Sequence, residues 1–401
     1  MTATVLAKRY LFVFVVFFVV SLTAILILNM VLGERGLGSA QAVREASAWQ
    51  QATRGVTYSP PVTHTRAFKA HRLADRAPDI NTMVLGASSL MGMTQEMFPA
   101  PMRLYNFTLT ANPTSAIAGE AEFIERHYAD RVRTVLIGLD WAIGMIYHTG
   151  DVPALDMTPA ATLVNYGAAT VPLHRKLADA LSSPKVLNLG NALRSVAKSK
   201  NPVAAFRHTF FDLAGADYRC ADGTPARDYD VVNRGICLGF RHDGSWTFAG
   251  ERHLTEARAQ LLARAAAAPS SKFSRYLCET QGEPNAEILR RLGAFAQRVV
   301  AAGGHVVFML PPLIPGMEAE MIRTDASNRC LTRTKTVLDA WARQHGVTVI
   351  DAAASEHFGC KPEEFLDENH AWPECHARVL GRYWDDHAQQ RIAVGLYRPA
   401  R

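Results

Sequence analysis

Two adjacent serines follow the apolar run in VLGASSLMG, residues 84–92, where Gly86 and Ala87 lead into Ser88 and Ser89. A serine hydroxyl is a nucleophile only where a base takes its proton and a third group orients that base. Near the other end of the chain, FLDENHAWPECHARVLGRYW (365–384) supplies both types of group. Asp367 and His370 are three residues apart, so a helical turn or tight loop puts them on one side. The carboxylate can then hold one imidazole nitrogen and leave the other free as a base. Ser89 is expected to cap the following helix or hydrogen-bond the turn. Asn106 in MRLYNFTL (102–109) and Asp140 at the end of VRTVLIGLD (132–140) are further polar groups at strand ends. Asp367, His370, Cys375 and His376 are also metal-ligand types, but their spacing matches neither HExxH nor a Cys/His zinc pattern. No Gly-x-Gly-x-x-Gly or Walker loop occurs, and no metal or other cofactor is expected.

These residues need a frame. TMVLG (82–86), MRLYNFTL, VRTVLIGLD, HVVFMLPP (305–312) and VTVIDAA (347–353) read as apolar strands. PTSAIAGEAEFIERHY (113–128), EILRRLGAFAQRVVAAGG (287–304) and RTKTVLDAWARQHG (333–346) have helical periodicity. Strands alternating with helices predict an α/β fold with a parallel sheet covered on both faces. In such a sheet, functional groups collect beyond the carboxyl ends of the strands, which brings Ser88, Asn106 and Asp140 to one edge. Residues 161–285 lack this rhythm. They are expected to form an insertion or cap with Cys-bearing loops and an Ala-rich helix at 254–268.

Leu11 to Leu32 carries no charged side chain. As a helix it would be about 33 Å long, enough to cross the hydrocarbon core. Lys8 and Arg9 precede it, which favours a cytoplasmic tail (1–10) and places the bulk of the chain outside. Cleavage as a signal peptide near Ser39–Ala42 is the competing reading. Residues 33–75, with Pro60–Pro61, read as a linker, and regular structure is expected from about Ile80, with the two halves of the main domain at 76–160 and 286–401. The 43 basic and 37 acidic residues give a net charge of +6 and are dispersed, which argues against a nucleic-acid partner. Six cysteines, all beyond the apolar segment, permit three disulfides in an exported domain, with Cys360–Cys375 the favoured pair because it closes a short loop.

On PDINTMVLGASS (78–89), LYNFTL, VLIGLD and FLDENH the chain resembles the SGNH, or GDSL-like, hydrolase superfamily. The likeness is strongest to its membrane-anchored branch, similar to the proteins of alginate O-acetylation and teichoic-acid D-alanylation. It spans residues 78–145 and 287–390. It implies a flavodoxin-like three-layer fold, with Ser88 as nucleophile, His370 as general base and Asp367 as its orienting acid. Ala87 stands where the family often has Asp, and Gly138-Leu139-Asp140-Trp141 replaces its Gly-x-Asn-Asp block. An ionised aspartate donates no hydrogen bond, so the oxyanion site would rest on the Ser88 backbone N–H, helped by the Asn106 amide. The activity implied is acyl ester chemistry, as O-acyltransferase or as esterase or deacetylase, on an envelope polysaccharide or glycolipid. The anchor suggests a membrane-bound acyl-transfer partner, and Trp141 and Trp372 are compatible with sugar stacking. An inactive anchored scaffold and a lipase-like esterase are the alternatives.

Overall fold

The computed structural model describes residues 3–32, 39–57, 65–110, 112–140, 155–165, 181, 183–210, 216–228, 237–248, 278, 280–324, 329–388 and 393–399. Its first helix, α1 (Ala3–Leu32), contains a candidate membrane span from Lys8 to Asn29 with mean hydropathy 3.2. Large apolar side chains from Tyr10 to Val20 are exposed all round it. That pattern suits lipid rather than a protein core.

The segment expected as a linker is built into the fold. It carries α2 (Ser39–Thr53), β1 (Val56–Thr57) and α3 (Thr65–Arg76). Val43, Ala46, Ala67 and Phe68 form a small core with Phe240 and the partly buried Trp246. Its prolines misled because the apolar stripes of α2 and α3 are short and interrupted by charged residues that are themselves buried, Lys69 and Arg72.

The main sheet is all parallel. It comprises β2 (Thr82–Leu85), β3 (Leu104–Asn106), β4 (Thr134–Gly138), β9 (His305–Leu310), β10 (Thr348–Asp351) and β11 (Gly395–Tyr397) in the order β3-β2-β4-β9-β10-β11. Residues of β2, β4 and β10 are buried along their whole length. Since successive side chains point to opposite faces, both faces are covered. One helical layer is formed by α4 (Thr114–Tyr128), α8 (Ala286–Ala301) and α10 (Cys330–His345), packed side by side. The Asn285 side chain caps α8 by accepting from the Ile288 N–H at 3.1 Å, and Ile288, Leu289, Leu292, Phe295 and Ala296 are its buried stripe. The last helix, α11 (Pro373–Asp386), packs on the turns at Gln95–Met97 and Ser355–Phe358.

A second sheet has the order β5-β6-β1-β7-β8, with β5 (Ala216–Arg219), β6 (Pro225–Asp228), β7 (Leu238–Phe240) and β8 (Trp246–Phe248). All but β1 come from the region expected as a cap. That region also contributes α5 (Pro159–Asn165), α6 (Ser183–Lys198) and α7 (Pro202–Phe210); the Ala-rich helix expected at 254–268 lies outside the described residues. Three disulfides pair Cys220 with Cys237, Cys278 with Cys330, and Cys360 with Cys375.

Candidate functional site

Chain connections leave β2 and β4 in opposite directions across the sheet, so the crevice beyond their carboxyl ends is the position where open parallel sheets hold ligands. Ser88 follows β2 and Asp140 follows β4. The strand ends meet closely: a Cβ on Gly138 would come within 2.6 Å of the Leu90 side chain. The absence of a side chain there lets the short turn Ser88–Leu90 fold down over both strands.

The Ser88 hydroxyl lies 2.8 Å from His370 Nε2. His370 Nδ1 lies 2.7 and 2.8 Å from the two oxygens of Asp367. Burial pushes the Asp367 carboxyl up, but its bonds to His370 and to the Asn369 and His370 N–H groups outweigh this and hold it below the ordinary value. Asp367 is therefore an acceptor, Nδ1–H donates to it, and Nε2 is left to accept the Ser88 proton. Burial lowers the basicity of His370. The Asp367 bond and charge, with Asp140 and Glu368, more than offset that and raise it above the ordinary value.

The loop bearing Asp367 and His370 is held at several points. Phe365 and Ala371 form an antiparallel bridge, the Leu366 N–H donates to the His370 carbonyl at 2.9 Å, and the Ile314 N–H donates to the Glu368 carbonyl at 2.9 Å. Cys360–Cys375 ties the base of this loop to the start of α11. His376, fully buried on α11, is pushed down to about 4 by burial, against the pull of the backbone at Ser89 and Ala371. It is neutral at pH 7.

Ser88 is partly exposed, whereas Ser89 is buried and donates to Asp140 Oδ2 at 3.0 Å. Asn106 does not serve the oxyanion site. Its amide donates to the carbonyls of Leu90 and Met93, at 3.0 and 2.9 Å, and its oxygen accepts from the N–H and hydroxyl of Thr108. Both donors are committed to holding the turn after Ser88. Trp372 is 4% exposed and packs in the interior, so it is no stacking platform for a sugar. Trp141 lies outside the described residues.

Two supporting clusters had no motif to announce them. Asn112 donates to the Gly86 carbonyl at 3.3 Å and to Glu120 at 3.0 Å, while Arg66 pairs with Glu120 at 2.8 Å. The Asn112-Pro113 turn before α4 was the sole local signal. Lys69 of α3, fully buried, donates to the carbonyls of Asn106 and Gly244 at 2.9 and 2.8 Å. Gly244 has φ +83° and packs so close that a Cβ would meet the Asn106 carbonyl oxygen at 2.3 Å. The hairpin turn between β7 and β8 thus docks on the site-bearing turn, and the Trp246 N–H donates to the Met91 carbonyl at 2.7 Å.

An oriented hydroxyl–imidazole–carboxylate chain at an accessible sheet edge can attack an acyl carbonyl and shuttle the proton to a leaving group. No protein-family model matches this chain, and neither a curated protein nor a solved structure matches it.

Proposed function

We propose that this protein is a membrane-anchored serine enzyme of acyl ester chemistry, acting on an extracytoplasmic polysaccharide or glycolipid. The observation that carries the reading is the hydrogen-bonded series Ser88–His370–Asp367, assembled from opposite ends of the chain. Counted in chain order, the main sheet runs 2-1-3-4-5-6, an extension of the flavodoxin-like order 2-1-3-4-5, which supports an SGNH-type architecture. Three disulfides suit an oxidising compartment, and the charge pair Lys8–Arg9 before the span suits a cytoplasmic tail.

In this mechanism His370 takes the Ser88 proton as the hydroxyl oxygen attacks the ester carbonyl. The Ser88 backbone N–H, at the start of a helical turn where such groups have no intrahelical partner, faces the developing oxyanion. Asp367, with Asp140 nearby, stabilises the imidazolium. His370 then gives the proton to the departing alcohol, leaving an acyl group on Ser88. An acceptor, water or a sugar hydroxyl, gives its proton to His370 and takes the acyl group, and His370 returns that proton to the departing Ser88 oxygen. The acceptor decides between esterase and O-acyltransferase, and a membrane-bound partner could supply the donor. A non-catalytic scaffold would have no need of a 2.8 Å contact between Ser88 and His370.

The test is mass spectrometry after fluorophosphonate treatment of the detergent-solubilised chain. A single adduct on Ser88, lost in Ser88→Ala and in His370→Ala, is the expected result. No adduct on a folded, disulfide-intact sample would overturn the proposal.

A further inference from the structure

A helical hairpin in the inserted region is built differently from the rest of the surface. α6 and α7 pack on each other through Leu189, Val196, Ala205 and Phe210. Residues 181–211 contain Lys185, Arg194, Lys198, Lys200 and Arg207 and no Asp or Glu. Arg194, Lys198, Lys200 and Arg207 are exposed.

The apolar residues left outside are equally specific. Leu187 is 63% exposed and Val203 is 73% exposed. At 100° per residue, Arg194 and Lys198 each fall within about 20° of Leu187, one on either side of it, on α6. They lie opposite the buried Leu189 and Val196. On α7, Arg207 is one turn beyond Val203. α6 therefore exposes Leu187 with two cations, and α7 exposes Val203 with Arg207.

The hairpin also has a fixed neighbour. α6 touches α1, and the part of the span that protein covers is its later portion, at Ser21, Ile25, Leu26 and Asn29. An amphipathic helix packed beside the C-terminal half of a span stands toward that side of the membrane, where cations face lipid phosphates and apolar side chains enter the acyl boundary. We infer that the α6–α7 hairpin lies on an anionic lipid surface beside the span, with Arg194, Lys198, Lys200 and Arg207 against headgroup phosphates and Leu187 and Val203 in the boundary layer. Because β5 and β6 follow the hairpin directly in sequence, this contact would set the inserted sheet, and the site on which it docks, close to the bilayer.

The test uses the full chain in lipid nanodiscs, either pure phosphatidylcholine or containing phosphatidylglycerol. p-Benzoylphenylalanine replaces Leu187, Val203 or, as a control, the exposed Ile322 of α9 (Met317–Thr324). After irradiation, adducts are identified by mass spectrometry. Lipid adducts at 187 and 203, absent at 322 and enriched by phosphatidylglycerol, are expected. The combined variant Arg194→Glu, Lys198→Glu, Lys200→Glu, Arg207→Glu should cut them by about tenfold or more in anionic discs. If that variant loses helix content by circular dichroism, the same four positions changed to Gln carry the comparison. Adduct yields equal to the control, or insensitive to both lipid charge and the four substitutions, would overturn the inference. So would cross-links to a second copy of the chain in place of lipid.

Discussion

Ser89 Oγ donates to Asp140 Oδ2 at 3.0 Å, and both side chains are buried. Of two adjacent serines, this one is bound inward to a carboxylate, and its neighbour Ser88 is the one facing His370. Asp140 thus has two effects at once: it holds the turn through Ser89, and its charge raises the basicity of His370.

Ser89→Ala should keep fluorophosphonate labelling at Ser88 while destabilising the fold by about 1–3 kcal/mol, since a buried carboxylate loses a donor. Urea unfolding and adduct mapping on the same sample check this. Transfer of the adduct to residue 89 in the parent chain would show that the two serines have been assigned in the wrong order.

The pH dependence has a defined sign. The base form of His370 is the neutral one, so the rate of Ser88 labelling should rise with pH and reach half its maximum above the ordinary histidine value of 6.5. Asp367→Asn should move that midpoint down and lower the plateau by up to about 10⁴. Asp140→Asn should move it down by less. For stability the sign is opposite: the gain from charged His370 is present below 6.5 and lost as pH rises through the raised value. A rate profile flat from pH 5 to about 8 would remove His370 as the base.

Lys69 titrates in the reverse sense. Burial lowers it from 10.5 to about 7, despite the opposing charges of Asp243 and Glu120. Between those values the unfolded chain binds more protons, so this group makes stability climb with rising pH across that window. Lys69→Met should flatten the slope, measured as the difference between variant and parent in urea unfolding at pH 7 and about 9.5. Parallel curves would place Lys69 in contact with water.

Removing Cys360–Cys375 by the paired change to Ser opens a loop with a sequence separation of 15. The expected cost is about 3 kcal/mol from chain entropy. Labelling of Ser88 should slow, because the same loop holds Asp367 and His370. Removal of Cys220–Cys237, whose residues lie in the second sheet region, should leave labelling nearly unchanged. An equal effect of both would show that the 360–375 bridge has no particular hold on the base.

Much of this was legible locally. The all-apolar runs became β2, β4, β9 and β10 because a strand covered on both faces has no polar side to show. The helices α4, α8 and α10 begin within a few residues of their expected starts, since caps and 3.6-residue stripes are short-range signals. The three-residue spacing of Asp367 and His370 likewise announces a local contact. Other features depend on contacts between residues distant in the chain. Asn106 looked like a donor for chemistry until the carbonyls of Leu90 and Met93 claimed both its N–H groups. The residues of α2 and α3 looked like a linker because their partners, Phe240 and Gly244, come far later in the chain. Side-chain type and spacing report what a residue is able to do. Which bonds use up that capacity is decided by neighbours that only folding brings within reach.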